Sequence, residues 1–352
     1  MQIILPSIVV GAGRNGAKVA VSIAKRFTFD ALLITSNKYD LNPKGNNRSY
    51  ERLDTIARIE HLWLDSKSIL NPSSSYIRRL LFKELPYVKN RIGSSDNNYN
   101  TVIIVGDLAE KDGIAIVPML AEVLASMGKR ILSFVTMPFS FERSVLFKSS
   151  IALRLLKEKS NCTVIIDKDA FLEYSPELSI DNCYAIAEDV MLEAVSAMLR
   201  REDSDDGCLY IATKAYTTDS SKNNYSSAAD HAMKGLLTQL YSSGAENIRR
   251  ALIHIVGSDL SIGAINYISK YVNTILGYNV SVDVNMLAST DDSNAKNGVL
   301  TLYEVKSTRF DAYDPLHIIS KDMMLDFSCE YGAGVLAEFE ERLDLDIVDI
   351  EC

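Results

Sequence analysis

The sequence predicts an α/β protein whose mostly parallel sheet carries crossover helices, followed by a long central helix and a compact α+β domain. Three observations carry this expectation. Short β-branched runs alternate with helical periodicity through the first half of the chain. A glycine-rich G-x-G-x-x-G turn directly follows the first apolar run. After the acidic break RREDSDDG (200–207) the rhythm of strands and helices changes.

In chain order, residues 3–10 read as a buried strand, 14–26 as a helix and 31–36 as a second strand. Further strands are expected at 101–106, 130–135 and 162–166, with helices at about 50–64, 74–84, 113–127 and 141–158 supplying the crossovers that parallel strands require. NPKGNNRS and GSSDNNYN read as loops. Ile180, Cys183, Tyr184, Ala187, Val190, Met191, Ala194, Val195 and Met198 recur at helical spacing and predict a helix over about 179–200. Beyond the break, CLYIATKAYT, RALIHIVG, VSVDVNMLAS and GVLTLYEVKS read as strands, with helices at 225–243 and 261–277, in the order β-α-β-α-β-β. From about residue 311 the chain reads as a tail.

Composition narrows the partners. The 352 residues are 47% hydrophobic, enough for two domains of ordinary size. The net charge of −9 is spread along the chain, with no basic stripe to neutralise a phosphate backbone, so no nucleic-acid partner is expected. Five cysteines and four histidines stand singly, which predicts a reduced, metal-free protein. No apolar run approaches the ~20 residues of a membrane span, and the apolar N-terminus lacks a basic leader segment, so a cytoplasmic protein without direct membrane insertion is expected.

The run VVGAGRNGAKVA places Gly11, Gly13 and Gly16 in G-x-G-x-x-G register between a strand and a helix start, a Rossmann-like arrangement that lets backbone amides approach a phosphate. A nicotinamide-dependent oxidoreductase would add an acidic residue after the second strand, yet Thr35, Ser36 and Asn37 stand there, leaving an NADP-type pocket using Lys38. A second strand-to-loop junction, VIIVGDLAEKDGIAIVP (102–118), breaks two apolar runs with three carboxylates and one lysine.

The run KRILSFVTMPFSFER (129–143) resembles VVTKPFSFEG of FtsZ, the prokaryotic relative of tubulin, through Pro138, Phe139, Ser140, Phe141 and Glu142. SIVVGAGRNGA is similar to the first FtsZ loop, and Asn71-Pro72 sits where that family has its asparagine-proline. LEYSPELSIDNCYAIAEDVML and IHIVGSDLSIGAINYISKYV resemble the family's central helix and a segment of its C-terminal domain, so the resemblance covers about residues 6–310. It implies a nucleotide-binding-type domain over 1–178, a central helix and connector over 179–207, an FtsZ-like α+β domain over 208–310 and a tail over 311–352.

That resemblance also assigns candidate nucleotide contacts: Gly11, Ala12, Gly13 and Asn15 in the first loop, Gly113 in the phosphate-cradling loop, Tyr184 for stacking on guanine and Glu188 for reading the base. Tyr184 fits core packing on an amphipathic helix as well, and Glu188 fits a solvated helix face. Ala109–Ala115 align with the glycine-rich signature GGGTGTG, of which only Gly113 survives, and Glu110 and Asp112 bring negative charge to the place of a phosphate. The expected cofactor is therefore none, or weakly bound GTP or GDP. The loop that completes hydrolysis in the family has no counterpart beyond Asp203 and Asp206, with Arg201 where asparagine should stand, so no catalytic residue is assigned.

Asp344-Leu345-Asp346-Ile347 resembles the start of the FtsZ tail peptide that recruits tethering and regulatory partners, with Val348 in place of proline; Leu345, Ile347 and Ile350 would be its apolar contacts. The expectation is an FtsZ-like cytoskeletal or cell-division protein that self-associates longitudinally or scaffolds, with a degenerate GTP site. The alternatives are a GTP-dependent polymerising GTPase of the FtsZ type and an NAD(P)-dependent oxidoreductase.

Overall fold

The computed structural model describes residues 6–37, 48–53, 57–65, 72–93, 99–199, 207–216, 225–256, 262–276, 280–287 and 298–313. The chain divides into two compact units, one formed chiefly by Ile4–Ile131 and Ser144–Ser160, the other chiefly by Leu132–Arg143 and Asn161–Ala312.

The first unit is built on β1 (Ser7–Ala12), β2 (Asp30–Thr35), β3 (Arg48–Leu53), β4 (Ala57–Trp63) and β5 (Thr101–Asp107). β1 pairs in parallel with both β2 and β5, β2 pairs in parallel with β4, and β3 closes the edge antiparallel to β4. Both faces are covered, as a parallel sheet requires, so β1 and β5 are buried throughout. The helices are α1 (Gly13–Phe27), α2 (Ser74–Gly93), α3 (Lys111–Ser126) and α4 (Arg143–Lys159). Ile114, Ala115, Ile116, Val117, Met119, Leu120 and Leu124 of α3 are all buried. Burying each large apolar side chain contributes about 1.5–3 kcal/mol, so the helix is held by the core on nearly every side.

Three local expectations differ from this unit. Where a helix is expected at about 50–64, the described residues form strands, β3 up to Leu53 and β4 over Ala57–Trp63. In ARIEHLW the charged residues mimic the polar face of a helix, but Glu60 is buried in β4, where it accepts the Arg91 Nε–H at 2.7 Å, and local periodicity cannot register that partner. α2 runs on to Gly93 past Pro86, because Leu85, Val88 and Ile92 continue the buried stripe of Ile77 and Leu81 and offset the lost backbone bond. In the acidic junction, Lys111, Asp112 and Gly113 already belong to α3, so the loop proper is only Leu108–Glu110.

The second unit orders its strands β6 (Arg130–Met137), β7 (Cys162–Asp167), β8 (Cys208–Tyr216), β11 (Gly298–Glu304), β9 (Arg250–Val256) and β10 (Ser281–Leu287). β6, β7 and β8 are parallel, β11 runs antiparallel to both β8 and β9, and β10 is parallel to β9. Its helices are α5 (Lys168–Tyr174), α6 (Ile180–Leu199), α7 (Tyr225–Ser242) and α8 (Ile262–Leu276), and a 3-10 turn at Arg309–Tyr313 follows β11. α5 has no sequence-level forecast. It is one short segment capped by Asp167, whose side chain accepts the Asp169 amide at 3.1 Å.

Candidate functional site

The candidate residues fall into two constellations, one in each unit. In the first unit the chain leaves β1 at Ala12 and turns through Gly13 at φ +73°, a left-handed conformation that glycine adopts without strain. A Cβ on Gly13 would lie 2.4 Å from Glu110 Oε2 and 3.0 Å from the Asp112 Cβ. The tight turn therefore receives the acidic junction side chains directly against backbone. Gly113 is equally constrained, since a Cβ there would stand 1.9 Å from the Asp107 carbonyl oxygen.

Three carboxylates organise this corner. The Asn15 amide at the start of α1 donates to both Glu110 oxygens, at 3.3 and 3.4 Å. The Asn15 side-chain amide donates to Asp107 Oδ2 at 3.0 Å, and the other Asp107 oxygen accepts the Ala109 amide at 2.9 Å, closing the turn after β5. Asp112 accepts from the Ser36 amide at 2.8 Å and from the Ser36 hydroxyl at 2.6 Å, joining α3 to the end of β2. Asp107 and Asp112 are buried. The first-turn amides of a helix lack intrahelical partners and carry partial positive charge, so a carboxylate is well placed there. Glu110 thus occupies the kind of position in which helix starts hold anions.

The second constellation surrounds Tyr184. Lys168, fully buried at the first residue of α5, holds its ammonium 4.1 Å from the Tyr184 ring centroid and 5.5 Å from that of Phe139. Phe139 meets Tyr184 edge-on at 6.3 Å and stacks at 5.1 Å on Phe141, which is 64% exposed. The 138–142 turn is pinned by the Phe139 amide donating to Glu142 at 3.0 Å and by the Ser140 amide and hydroxyl donating to Asp169 at 3.3 and 3.2 Å. Arg309 binds Asp167 at 2.8 Å and Asp169 at 3.0 Å, while burial pushes the Asp167 carboxyl up against the pull of that guanidinium. Glu188 lies one turn beyond Tyr184 on α6, partly buried.

Gly11, Ala12, Gly13, Asn15 and Gly113 are thus gathered at one corner of the first unit, whereas Tyr184 and Glu188 lie on α6 of the second. Asp107, Ser36 and Lys168 were not among the predicted contacts. Asp107 carried a signal, being an acidic residue at the carboxyl end of an apolar strand, where α/β folds place ligand-facing groups. Lys168 carried none, because its aromatic partners come from distant segments. Lys38, Asn71, Arg201, Asp203, Asp206 and the tail residues lie outside the described residues. Among the described residues, no group of three metal-ligating side chains occurs and no helix is long and apolar enough to cross a membrane.

This architecture is the fold of the tubulin/FtsZ superfamily. "Cell division protein FtsZ 1" of Pyrococcus woesei is 28% identical over 188 residues, which span 49% of this chain and 50% of that protein. An M. jannaschii structure described as an empty FtsZ dimer superposes with a TM-score of 0.62 at 18% identity, covering 85% of this chain and 88% of the other. A Haloferax volcanii structure described as a GTPγS-bound CetZ2 protofilament gives 0.61 at 15%, covering 89% and 96%. No family model matches the sequence. The protein is FtsZ-like, and it matches about half the length of its curated relatives. The oxidoreductase alternative finds no support in these likenesses.

Proposed function

We propose that this protein is a cytoplasmic cytoskeletal or cell-division protein of the FtsZ type that acts by self-association or scaffolding, with weak or lost GTP binding and hydrolysis. The observation that supports the reading is the Glu110 carboxylate at the start of α1, accepting the Asn15 amide. A phosphate approaching Gly11, Ala12, Gly13, Asn15 and Gly113 would meet that charge and Asp112. Each unit-charge repulsion at ~5 Å and an effective dielectric near ~20 costs about 3 kcal/mol. Micromolar affinity is worth about 8 kcal/mol, so two such repulsions remove most of it. At Tyr184 and Glu188, the contacts assigned to a base, the tyrosine ring already has a cation beside it.

Calorimetry with GTP and Mg²⁺ tests this. Affinity weaker than ~10 µM with negligible phosphate release is expected. Co-purified GDP or sub-micromolar binding would overturn the reading and favour a GTP-dependent polymerising GTPase, in which Lys111, half-buried in the first turn of α3, would help neutralise the phosphates. Assembly follows as a second part of the proposal. A heterologous contact repeated from subunit to subunit builds an open filament. Arg14 and Lys111 facing the acidic stretch 202–206 of a neighbour would make it independent of nucleotide and sensitive to salt. Sedimentation as a monomer at every salt concentration, with and without GTP, would exclude self-assembly and leave a monomeric adaptor.

A further inference from the structure

Cys162 opens β7 and Cys208 opens β8, and the parallel register sets the two residues directly opposite one another. Lateral neighbours in a sheet point their side chains to the same face, on strands about 4.8 Å apart. That separation falls within the ~4.4–6.8 Å Cα span that a disulfide bridges. The pairing is anchored at its open end, because the Asn161 carbonyl accepts the amides of both Gly207, at 2.7 Å, and Cys208, at 3.3 Å. Both residues carry thiols. Cys162 is buried and Cys208 is partly exposed, next to Gly207, where a Cβ would meet no atom of the described residues within 4 Å. The third described cysteine, Cys183, lies on α6, and burial pushes its thiol up, against the opposing pull of Lys168.

We infer that Cys162 and Cys208 form an oxidation site, a cross-strand dithiol that a peroxide closes to a disulfide. The accessible Cys208 thiolate attacks one peroxide oxygen, the O–O bond breaks, and the departing hydroxide takes a proton to leave as water, giving a sulfenic acid. The Cys162 thiolate then attacks that sulfur, the S–S bond forms, the S–O bond breaks, and the hydroxyl leaves with a proton as a second water. Two thiols are oxidised and one peroxide is reduced. Closure ties the chain from β7 to β8, with α5 and α6, into one covalent loop. The site does not depend on the nucleotide reading, since neither cysteine belongs to that constellation.

The test treats the full chain with a slight excess of hydrogen peroxide, quenches with catalase and blocks remaining thiols. Intact mass and a non-reducing peptide map then follow. The expected result is a loss of about 2 Da before blocking, with a Cys162–Cys208 linked peptide that dithiothreitol cleaves. Cys208→Ser, at a partly exposed position, should abolish the link, whereas Cys183→Ser should retain it. Higher oxygen acids on Cys208 with Cys162 still blockable, linkage through other cysteines, or an unchanged map would each overturn the inference.

Discussion

The backbone amide of Asn15 points at the Glu110 carboxylate, 3.3 and 3.4 Å from its two oxygens, across 95 positions of sequence. The bonds are long, but the charge sits where the α1 amides are least satisfied, and such placements contribute about 0.3–1 kcal/mol. Replacing Glu110 by Gln keeps the shape and removes the charge. The expected outcome is a slightly lower melting temperature and GTP affinity raised at least ~10-fold, the equivalent of about 1.4 kcal/mol. Parallel calorimetry of the two proteins checks it; equal affinity would show that Glu110 does not govern the site.

Lys214 is an ammonium held at 2.6 Å from Asp189 and 2.7 Å from Glu193, with its side chain 2% exposed and that of Glu193 7%. Gln239 clamps the backbone of the same residue from both sides, accepting its amide at 3.1 Å and donating to its carbonyl at 2.9 Å. Lys214→Met strands a buried carboxylate and should cost about 3–5 kcal/mol. Adding Glu193→Leu should recover most of that loss, since the penalty lies in the unpaired charge more than in the missing bridge. Urea denaturation of the single and double variants distinguishes the two.

The Tyr99 hydroxyl bonds Asp30 and accepts from Arg91 at 2.9 Å, and Arg91 in turn holds Glu60 and Asp30. Burial, reinforced by the bond to Asp30, pushes the phenol up from 10.0 to about 12. The folded protein therefore keeps a proton that the unfolded chain has lost between those values. The stabilisation is complete below pH 10 and is lost as pH rises towards 12. The loss should be of order 2–3 kcal/mol, at 1.36 kcal/mol per unit. Stability measured from pH 9 to 11.5 should fall more steeply for the natural protein than for Tyr99→Phe, and parallel curves would refute the linkage.

The segment 344–352 lies outside the described residues, and its role as a recruiting peptide through Leu345, Ile347 and Ile350 is a proposal from the resemblance alone. Deleting it should leave melting unchanged and abolish binding of a partner with a basic, apolar groove. A melting temperature lowered by several degrees would instead mark it as packed structure.

Much of the fold was legible because its signals are local. Helical spacing marked α6 to within a residue of its ends, and β-branched runs marked β2, β5, β6 and β7. The failures share one cause. β4 disguised itself because Glu60 is neutralised by Arg91, 31 positions away, and α2 passed Pro86 because its buried stripe outweighs one missing hydrogen bond. At the site, the glycine turn and the acidic junction were readable as motifs, but Lys168 beside Tyr184 was not.

Amino-acid order alone specified the alternation of strands and helices, the glycines at the first turn and the cluster of carboxylates that follows β5, since each is a matter of spacing and composition within a few residues. Folding specified where the charges go. Glu110 meets Asn15, Asp112 meets Ser36, and Cys162 meets Cys208 only because parallel pairing brings the ends of separate strands together. Such contacts depend on sheet order and register, which are set by burying both faces of the sheet at once, and no window of neighbouring residues contains that information.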